Sequence, residues 1–211
     1  MTSVLIIDDH PIVLQGCRRV LEDAGIDPVL AASDMVAGYR LYLRHRPDVA
    51  IVDLAIQGKG LGGLELIRRI RAHDAGAHIL VLSMHNDPMI VSRSLEAGAS
   101  GYVLKDTSSE ELVKAVQQVS AGVPFLSSEL AMKVALTGTS ARTNPLADLT
   151  ARELQVLALL AEGKPYDAIA RELSVSYKTV VNVSSQLKHK LQASTLPQLV
   201  STAVKLLAPP A

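Results

Sequence analysis

The first 120 residues alternate short apolar runs with longer segments in which apolar side chains recur at helical spacing. Strands that are buried on both faces are apolar throughout, and parallel strands need long crossover connections that are usually helices. The apolar runs predict strands at 4–8, 28–32, 48–53, 78–83 and 101–105. The segments between them predict helices at 11–24, 34–45, 62–73, 88–97 and 108–121. We therefore predict an α/β fold with a five-stranded, doubly wound parallel sheet.

The pattern changes after Pro124. Residues 136–148 are rich in Thr, Ser, Ala, Asn, Gly and Pro and lack apolar periodicity, which is typical of a linker. Beyond them the pattern is helical only, and it predicts helices at 150–162, 165–173, 176–191 and 196–207. The chain should therefore divide into an α/β domain at 1–122, a linker at 123–147 and a small all-α domain at 148–211.

Composition and charge narrow the function classes. With 48% hydrophobic and 20% charged residues, the chain is expected to be a soluble globular protein. The single Cys17 argues against a disulfide framework, and no apolar run reaches the ~18 residues of a membrane span. We expect a cytoplasmic protein without a membrane partner. The net charge is zero, but 141–211 carry 8 basic and 5 acidic residues, a weak indication of a polyanionic partner.

Polar side chains follow the predicted strands at the edge of the sheet where ligands of open α/β folds bind. They are Asp8 and Asp9 after the first strand, Asp53 after the third, Ser83 after the fourth and Lys105 after the fifth. Three converging carboxylates suit a hard cation with oxygen ligands, most simply Mg²⁺, and a lysine beside them suits a phosphoryl oxygen. An alternative for Asp9 is the cap of the helix that begins near Pro11, but that accounts for only one of the carboxylates.

The segments IIDDHP, IVDL, VLSMH and GYVLKD, in this order and at this spacing, resemble the receiver domain of two-component response regulators, which has a flavodoxin-like fold. The resemblance covers residues 1 to about 122. It implies that Asp53 is the phospho-acceptor and takes a phosphoryl group from a sensor histidine kinase. It also implies that Asp8, Asp9, Asp53 and the backbone carbonyl of Ala55 hold Mg²⁺.

The same resemblance assigns roles around the acceptor. Lys105 would bind a phosphoryl oxygen, Ser83 would turn toward the new phosphate, and Tyr102 would follow as an aromatic switch. The alternative for Tyr102 is an ordinary core aromatic. One departure concerns the turn after the acceptor, where the chain has IQGKGLGGLE in place of the family's Met-Pro-Gly turn, with about two extra residues. We expect this Gly-rich loop, 57–63, to be more mobile than usual and to alter acceptor geometry, phosphate lifetime or kinase recognition.

The C-terminal part contains a helix-turn-helix pattern. Thr150 and Glu153 form a capping-box pattern, and a helix that ends near Leu173 is followed by a short turn and a helix entered at Ser176. Residues 149–192 resemble the LuxR-type DNA-binding domain, so the whole chain resembles NarL/FixJ-type response regulators. The resemblance implies that helix 176–191 lies in the major groove. It also implies a dimer contact by helix 196–207 through its apolar set, whose alternative is packing onto its own domain: Leu199, Ala203, Leu206 and Leu207.

Helical periodicity assigns the faces of the 176–191 helix. The predicted inward stripe is Val180, Ser184, Leu187 and Leu191. The predicted DNA-binding residues are Lys178, Thr179, Val181, Asn182, Ser185, Gln186, Lys188 and His189. Asn and Gln can pair with adenine, and Lys178, Lys188 and Lys190 can neutralise phosphates. The family's usual lysine at position 181 and His or Tyr at 183 are absent, so we expect a different preferred DNA sequence and a shallower salt dependence.

These features predict a phosphorylation-controlled transcription regulator, not an enzyme, that binds double-stranded promoter DNA as a homodimer. Its partners would be a sensor histidine kinase, promoter DNA and a second copy, with RNA polymerase as a further candidate. One alternative is a phospho-accepting interaction protein that acts through a partner regulator and binds DNA weakly or not at all. Another is an enzyme that acts on a small phosphorylated substrate, against which we note no His or extra carboxylate at the sheet edge to act as an acid or base.

Overall fold

The computed structural model describes residues 2–56, 61–139, 145–146 and 148–207. Within these ranges an α/β unit with a parallel sheet is followed by a group of helices. The strands are β1 (Val4–Ile7), β2 (Val29–Ala32), β3 (Val49–Val52), β4 (Ile79–Ser83), β5 (Gly101–Leu104) and β6 (Phe125–Leu126). Their order in the sheet is β2-β1-β3-β4-β5-β6, and every neighbouring pair is parallel.

Helices connect the strands and build the C-terminal part. In the α/β unit they are α1 (Pro11–Asp23), α2 (Met35–His45), α3 (Gly63–His73), α4 (Pro88–Glu96) and α5 (Ser109–Ser120). After β6 come α6 (Ser128–Thr139), α7 (Ala151–Ala161), α8 (Tyr166–Glu172), α9 (Tyr177–Lys190) and α10 (Leu196–Leu207). Among the helices in the described part of the chain, none is long and apolar enough to cross a membrane.

The sheet is covered on both faces, which explains why its central strands are apolar at every position. Along β1, Leu5 and Ile7 point to the core under α2 and α3, whereas Val4 and Ile6 point to the core under α1 and α5. All four side chains are 0% exposed. Because the strand alternates between two buried layers, neither face retains polar residues, and the resulting apolar run is what predicts a central parallel strand.

Two ordered elements lie in the segment predicted as the linker 123–147. The sheet has six strands, not five, because Phe125 and Leu126 pair with β5 as β6. A strand of two residues is too short to show an alternating pattern in the sequence. The structure identifies it by its pairing with β5 and by the burial of Phe125. The next element, α6, places Leu130 in the core with only 2% of it exposed. Residues 140–144 and 147 of the predicted linker lie outside the described residues.

The C-terminal helices form around α7, which is buried on most of its surface. Its N-terminus has the predicted capping box: the Glu153 amide donates to Thr150 Oγ1, and the Thr150 amide donates to Glu153 Oε2. Residues 173–176 join α8 to α9, with Ser174 in the left-handed region at φ 52°. The Ser176 side chain then caps α9 by accepting from the Thr179 amide. The predicted helix-turn-helix is therefore present.

An ion pair between a buried carboxylate and a partly exposed lysine side chain links the start of α7 to the end of α9. Glu153 is only 4% exposed, and Lys190 Nζ lies 2.8 Å from its Oε2 and 2.8 Å from the Asp148 carbonyl oxygen. Burial raises the pKa of Glu153, but the hydrogen bonds from Lys190 and Thr150 outweigh burial and lower it. Lys190 therefore stabilises the fold, and its predicted role in phosphate neutralisation is not supported by this arrangement.

The helical group packs against the α/β unit on the side of α2, α3 and α4. Arg93 of α4 donates from Nη2 to the Leu149 carbonyl oxygen over 2.9 Å. One cleft of about 230 Å³ lies between α2 and α3 on one side and α7 and α8 on the other. A second cleft, of about 190 Å³, lies between the loop after β4 and the helices α7 and α10.

We predict that Glu153→Gln destabilises the helical group, because a neutral amide cannot form the ion pair with Lys190. The expected loss is about 1–2 kcal/mol, since Lys190 is partly exposed and solvent screens the pair. Amide hydrogen exchange in α7 and α9 measures this locally. The matched control is Glu129→Gln, whose pair with Lys133 is exposed and should leave exchange in these helices unchanged. Equal exchange in Glu153→Gln and the parent would contradict the prediction.

Candidate functional site

Main-chain hydrogen bonds that extend the sheet position the polar residues at its carboxyl edge. The Asp8 amide donates to the Ala32 carbonyl over 3.1 Å, and the Asp53 amide donates to the Ile7 carbonyl over 2.9 Å. The Lys105 amide donates to the Ser83 carbonyl over 2.9 Å. Each residue is therefore fixed by a neighbouring strand at the point where its own strand ends. The predicted convergence of Asp8, Asp53, Ser83 and Lys105 at one edge is what the structure contains.

Lys105 bridges the two most buried carboxylates of this edge. Its Nζ lies 2.8 Å from Asp8 Oδ2 and 2.9 Å from Asp53 Oδ2. The three side chains are nearly inaccessible, with 9% of the lysine and 2% of each carboxylate exposed. Desolvation alone lowers the pKa of Lys105, but its hydrogen bonds and charge interactions with Asp8 and Asp53 outweigh this effect and raise the pKa. The lysine is therefore held in its charged form.

Asp53 lies in an environment that favours a strong interaction with a cation. Burial raises its pKa, and the charge of Asp8 raises it further. Lys105 and the backbone amide of Ala55 act in the opposite direction without cancelling the shift. Ala55 thus lies beside Asp53, while the predicted role of its carbonyl as a metal ligand remains a prediction.

The carboxylates form a group of oxygen donors that fits a divalent cation. One ligand atom from each of Asp8, Asp9, His10 and Asp53 lies within 4.8 Å of the others. Two nearly buried carboxylates beside a third give Mg²⁺ the oxygen ligands it prefers, with water completing its octahedron. Asp9 does not cap α1, whose N-cap is His10, so the capping alternative for Asp9 is wrong.

His10 is a member of this group that the sequence analysis missed. Its Nδ1 lies 3.0 Å from Asp8 Oδ1 and 3.0 Å from Asp9 Oδ1. The argument that no His lies at this edge is therefore wrong. Its position directly after two aspartates was a signal, since the residue after a strand-end pair must lie beside them.

Gly63 closes the loop that follows β3 and Asp53. Its amide donates to the Leu54 carbonyl over 2.9 Å, and a Cβ at this position would collide with the Asp53 carbonyl oxygen and approach Leu54 Cα to 2.7 Å. Leu61 is fully buried, so the end of the loop is anchored. Of the predicted mobile loop 57–63, residues 57–60 lie outside the described residues. The glycine at 63 is required by close packing, a reason that the sequence analysis did not give.

Ser83 and Tyr102 are connected through the loop that follows β4. Ser83 Oγ accepts from the His85 amide over 3.2 Å, and Tyr102 Oη donates to the His85 carbonyl over 2.7 Å. Tyr102 is fully buried, and burial raises the pKa of its hydroxyl. This tyrosine is thus a core aromatic whose polar end is joined to the β4–α4 loop. Its predicted switching role remains a prediction.

The predicted DNA-facing residues of α9 lie on one accessible face. Six are exposed and the other two, Thr179 and Lys188, are partly exposed; the six are Lys178, Val181, Asn182, Ser185, Gln186 and His189. The inward stripe is confirmed for Val180, Ser184 and Leu187, which are buried. Val183 is also buried, with 9% exposed, so position 183 packs inside the domain in this chain. A valine there is consistent with packing instead of a DNA contact.

The apolar face of α10 differs from the one expected to form the dimer contact. Leu199, Ala203 and Leu207 are buried within the chain, which confirms the alternative of internal packing for these three. Leu206 is partly exposed. A neighbouring stripe remains accessible, with Leu196 38% and Val204 42% exposed and Val200 partly exposed between them.

Two known families match two consecutive parts of the chain, the α/β unit and the helical group. The response regulator receiver domain family matches residues 4–117. The luxR family of bacterial regulatory proteins matches residues 147–203. The first match covers β1 to β5 with the acidic edge, and the second covers α7, α8, α9 and most of α10.

Whole proteins are similar to this chain over nearly its full length. The methanol utilization control regulatory protein MoxX of Paracoccus denitrificans is 37% identical over 203 residues, which are 96% of this chain and 91% of that protein. A structure of the Salmonella typhimurium response regulator RcsB matches with a TM-score of 0.78 at 30% identity and covers 98% of each chain. RcsB bound to the promoter rprA in the presence of phosphomimetic BeF3− matches with a TM-score of 0.75 at 29% identity, covering 96% of this chain and 98% of that one.

We predict that Gly63→Ala disturbs the acceptor strand, because the added methyl group must displace the Asp53 main chain. The expected result is a loss of stability of roughly 1–3 kcal/mol together with slower phosphorylation of the site. The control is Gly16→Ala in α1, where a Cβ has open space. That variant should be as stable as the parent or slightly more so. Thermal unfolding and phosphorylation by acetyl phosphate measure both effects, and equal behaviour of the two variants would contradict the prediction.

Proposed function

The chain belongs to the response regulators with a receiver domain and a LuxR-type DNA-binding domain, and from this we propose that phosphorylation of Asp53 controls its binding to promoter DNA. The observation that carries the proposal is the buried bridge of Lys105 between Asp8 and Asp53, in a chain that also has an exposed recognition face on α9. The proposed partners are a sensor histidine kinase, double-stranded promoter DNA and a second copy of the chain.

The acceptor chemistry follows from the arrangement of charges. A carboxylate oxygen of Asp53 forms a bond to the phosphorus of the kinase phosphohistidine, while the P–N bond breaks and its electron pair stays on the imidazole nitrogen, which takes up a proton from water. Transfer of this kind depends chiefly on positioning and electrostatics. Mg²⁺, when held by Asp8, Asp9 and Asp53, supplies positive charge to the phosphoryl oxygens.

Lys105 would change its ion-pair partner during this reaction, from the Asp53 carboxylate to the phosphoryl oxygens. Before transfer its ammonium group satisfies the Asp53 carboxylate, which would otherwise be a buried charge without compensation. After transfer the negative charge lies on the phosphoryl oxygens, and a flexible lysine side chain can follow it. Ser83 lies at the same edge and offers a hydroxyl as a further donor. The lysine therefore stabilises the site before and after the reaction.

On the DNA side, α9 supplies side chains suited to base edges and to phosphates. Asn182 and Gln186 are one turn apart on the exposed face and can each pair with adenine in the major groove. Lys178 at the N-terminal end is placed for a phosphate. Val181 is 37% exposed on the same face and offers an apolar contact to a thymine methyl group.

We predict that Asp53→Asn abolishes phosphorylation by acetyl phosphate with Mg²⁺ and abolishes the gain in promoter binding that phosphorylation produces. The amide is a poor nucleophile, and Lys105 keeps only its ion pair with Asp8. Intact mass measures the phosphoryl group, and fluorescence anisotropy on promoter fragments measures the binding. The control is Asp48→Asn at the opposite end of β3, where the carboxylate binds Ser3 and lies far from the acidic edge.

Each outcome of this experiment tests one part of the proposal separately. If Asp53→Asn still becomes phosphorylated, Asp53 is not the acceptor. If the parent binds DNA equally with and without phosphate, phosphorylation does not control binding. If the phosphorylated parent shifts no fragment at low salt, action through a partner regulator replaces direct DNA binding. Catalytic release of phosphate from small phosphorylated substrates would instead favour the enzymatic alternative.

We predict distinct effects for two residues of α9. Lys178→Ala should weaken binding to all sequences alike and reduce the salt slope of log affinity by about 1, because one phosphate contact is lost. Asn182→Ala should cost about 1–3 kcal/mol on the preferred sequence and relax the preference at one base pair. The control is Lys114→Ala in α5, which is exposed on the α/β unit. Anisotropy titrations at several salt concentrations check both, and identical slopes for Lys178→Ala and the parent would refute the phosphate contact.

A further inference from the structure

The cleft of about 230 Å³ lies where the α/β unit meets the helical group, and both contribute to its walls. One wall comes from α2 and α3, and the other comes from α7, α8 and the C-cap of α8. The lining is apolar at Met35 and Val36 on the first wall and at Leu173 on the second. Val36 is 58% exposed, so this apolar lining is open to solvent. The cleft is complete only where the two units pack against each other.

Two arginines also line the cleft, one on each wall, and neither forms a salt bridge with a carboxylate in the described part of the chain. Arg69 stacks on the Tyr39 ring, with its guanidinium carbon 4.3 Å from the ring centroid. Arg152 donates from Nη1 to Gln155 Oε1 and from Nη2 to the Leu173 carbonyl oxygen. Both acceptors are uncharged, and burial lowers the pKa of Arg152. The cleft therefore holds two guanidinium charges without an anionic partner among the described residues.

Two carboxylates lie at the cleft, and each is paired with a cation that does not line it. Glu172 Oε1 lies 2.9 Å from Lys164 Nζ. Glu65 Oε2 lies 3.9 Å from Arg68 Nη1. The Glu65 side chain is 72% exposed and starts one turn before Arg69 on α3, so it can compete with a bound anion for that arginine.

The lining selects a ligand that combines an anionic group with a small apolar body. A guanidinium group binds a carboxylate through two parallel N–H donors, and it does so more strongly where water is partly excluded. Met35, Val36 and Leu66 lie beside the arginines and offer apolar contacts. Ligand sites at domain boundaries commonly combine such an apolar lining with a few charged groups. An inorganic anion would use the arginines alone, whereas an organic carboxylate uses both parts of the lining.

We propose that this cleft binds a small organic carboxylate, whose anionic group contacts Arg69 and Arg152 and whose apolar part lies against Met35 and Val36. The two arginines belong to different units, so the ligand binds the packed arrangement more tightly than a separated one and stabilises it. This inference goes beyond the proposed function, because it gives the protein a second input that does not involve the acidic edge.

The test uses benzoate as the carboxylate probe and benzamide as its neutral counterpart, with the full unphosphorylated chain at constant ionic strength. Benzoate should bind with a dissociation constant on the order of 1 mM, an ordinary value for a ligand of this size. Benzamide should bind at least about 10-fold more weakly, because it lacks the charge-assisted hydrogen bonds. Ligand-observed NMR titrations measure both. Absence of benzoate binding or equal binding of the two probes would overturn the proposal, and phosphate binding as tight as that of benzoate would contradict the ligand class.

Variants of α3 place the probe in this cleft. Arg69→Gln should weaken benzoate binding by at least about 10-fold. Arg69 has no hydrogen bond to another described residue, so the variant should fold like the parent. Glu65→Gln should tighten binding, because it removes the competing carboxylate. The control is Arg18→Gln in α1, which is exposed on the other face of the sheet. If Arg69→Gln and Arg18→Gln both bind benzoate like the parent, the ligand does not use this cleft.

Hydrogen exchange on the unaltered chain tests whether the ligand spans both walls. Saturating benzoate should slow exchange at the start of α2 and at the end of α8 together. Slower exchange on one wall alone would contradict binding between the two units. None of these measurements involves DNA or a phosphoryl group, so their failure leaves the proposed function standing, and failure of the proposed function leaves this site unaffected.

Discussion

The salt bridge from Lys105 to Asp8 and Asp53 is the interaction on which the arrangement of the sheet edge depends. Two carboxylates with 2% exposure cannot both remain charged in contact without a cation, because desolvation and mutual repulsion both oppose it. A lysine at the end of β5 supplies that cation, and its position requires β1, β3 and β5 to end at the same level. The hydrogen bonds of their terminal amides to neighbouring strands satisfy this requirement. The ion pairs of the acidic edge therefore depend on where the strands end, and the charges of the strand-end residues in turn favour that alignment of the strands.

The same logic explains why much of the fold and the site was predictable. Strands buried on both faces must be apolar, and strand-end aspartates must converge, so β1 to β5 and the residues Asp8, Asp53 and Lys105 follow from pattern alone. The short β6 has no periodicity to detect, because its pairing depends on where Phe125 fits against β5. Gly63 was missed for a related reason, because its importance comes from a close contact with the Asp53 main chain that residue type does not reveal. His10 was missed although its position directly after Asp8 and Asp9 indicated that it lies beside them.

The helical group shows which features helical periodicity predicts and which it does not. It identified the inward stripe and the accessible face of α9, but it could not tell which lysines are available to DNA. Lys190 belongs to the same basic turn as Lys188, yet it is held by Glu153 and the Asp148 carbonyl. In α10, three of the four apolar residues expected at a dimer contact pack inside the domain instead, where the helix covers α7. Amphipathic helices with two apolar stripes cannot be assigned from one sequence.

The close approach of Gly63 to the Asp53 main chain separates the length of the following loop from the position of Asp53. Leu54 and Gly63 are joined by a hydrogen bond, so the chain leaves the acceptor strand and returns to α3 at two fixed points. The segment between these points is also fixed near both of its ends, because Ile56 and Leu61 are fully buried. The position of Asp53 is therefore set by the sheet and by the start of α3, independently of the sequence between Ile56 and Leu61.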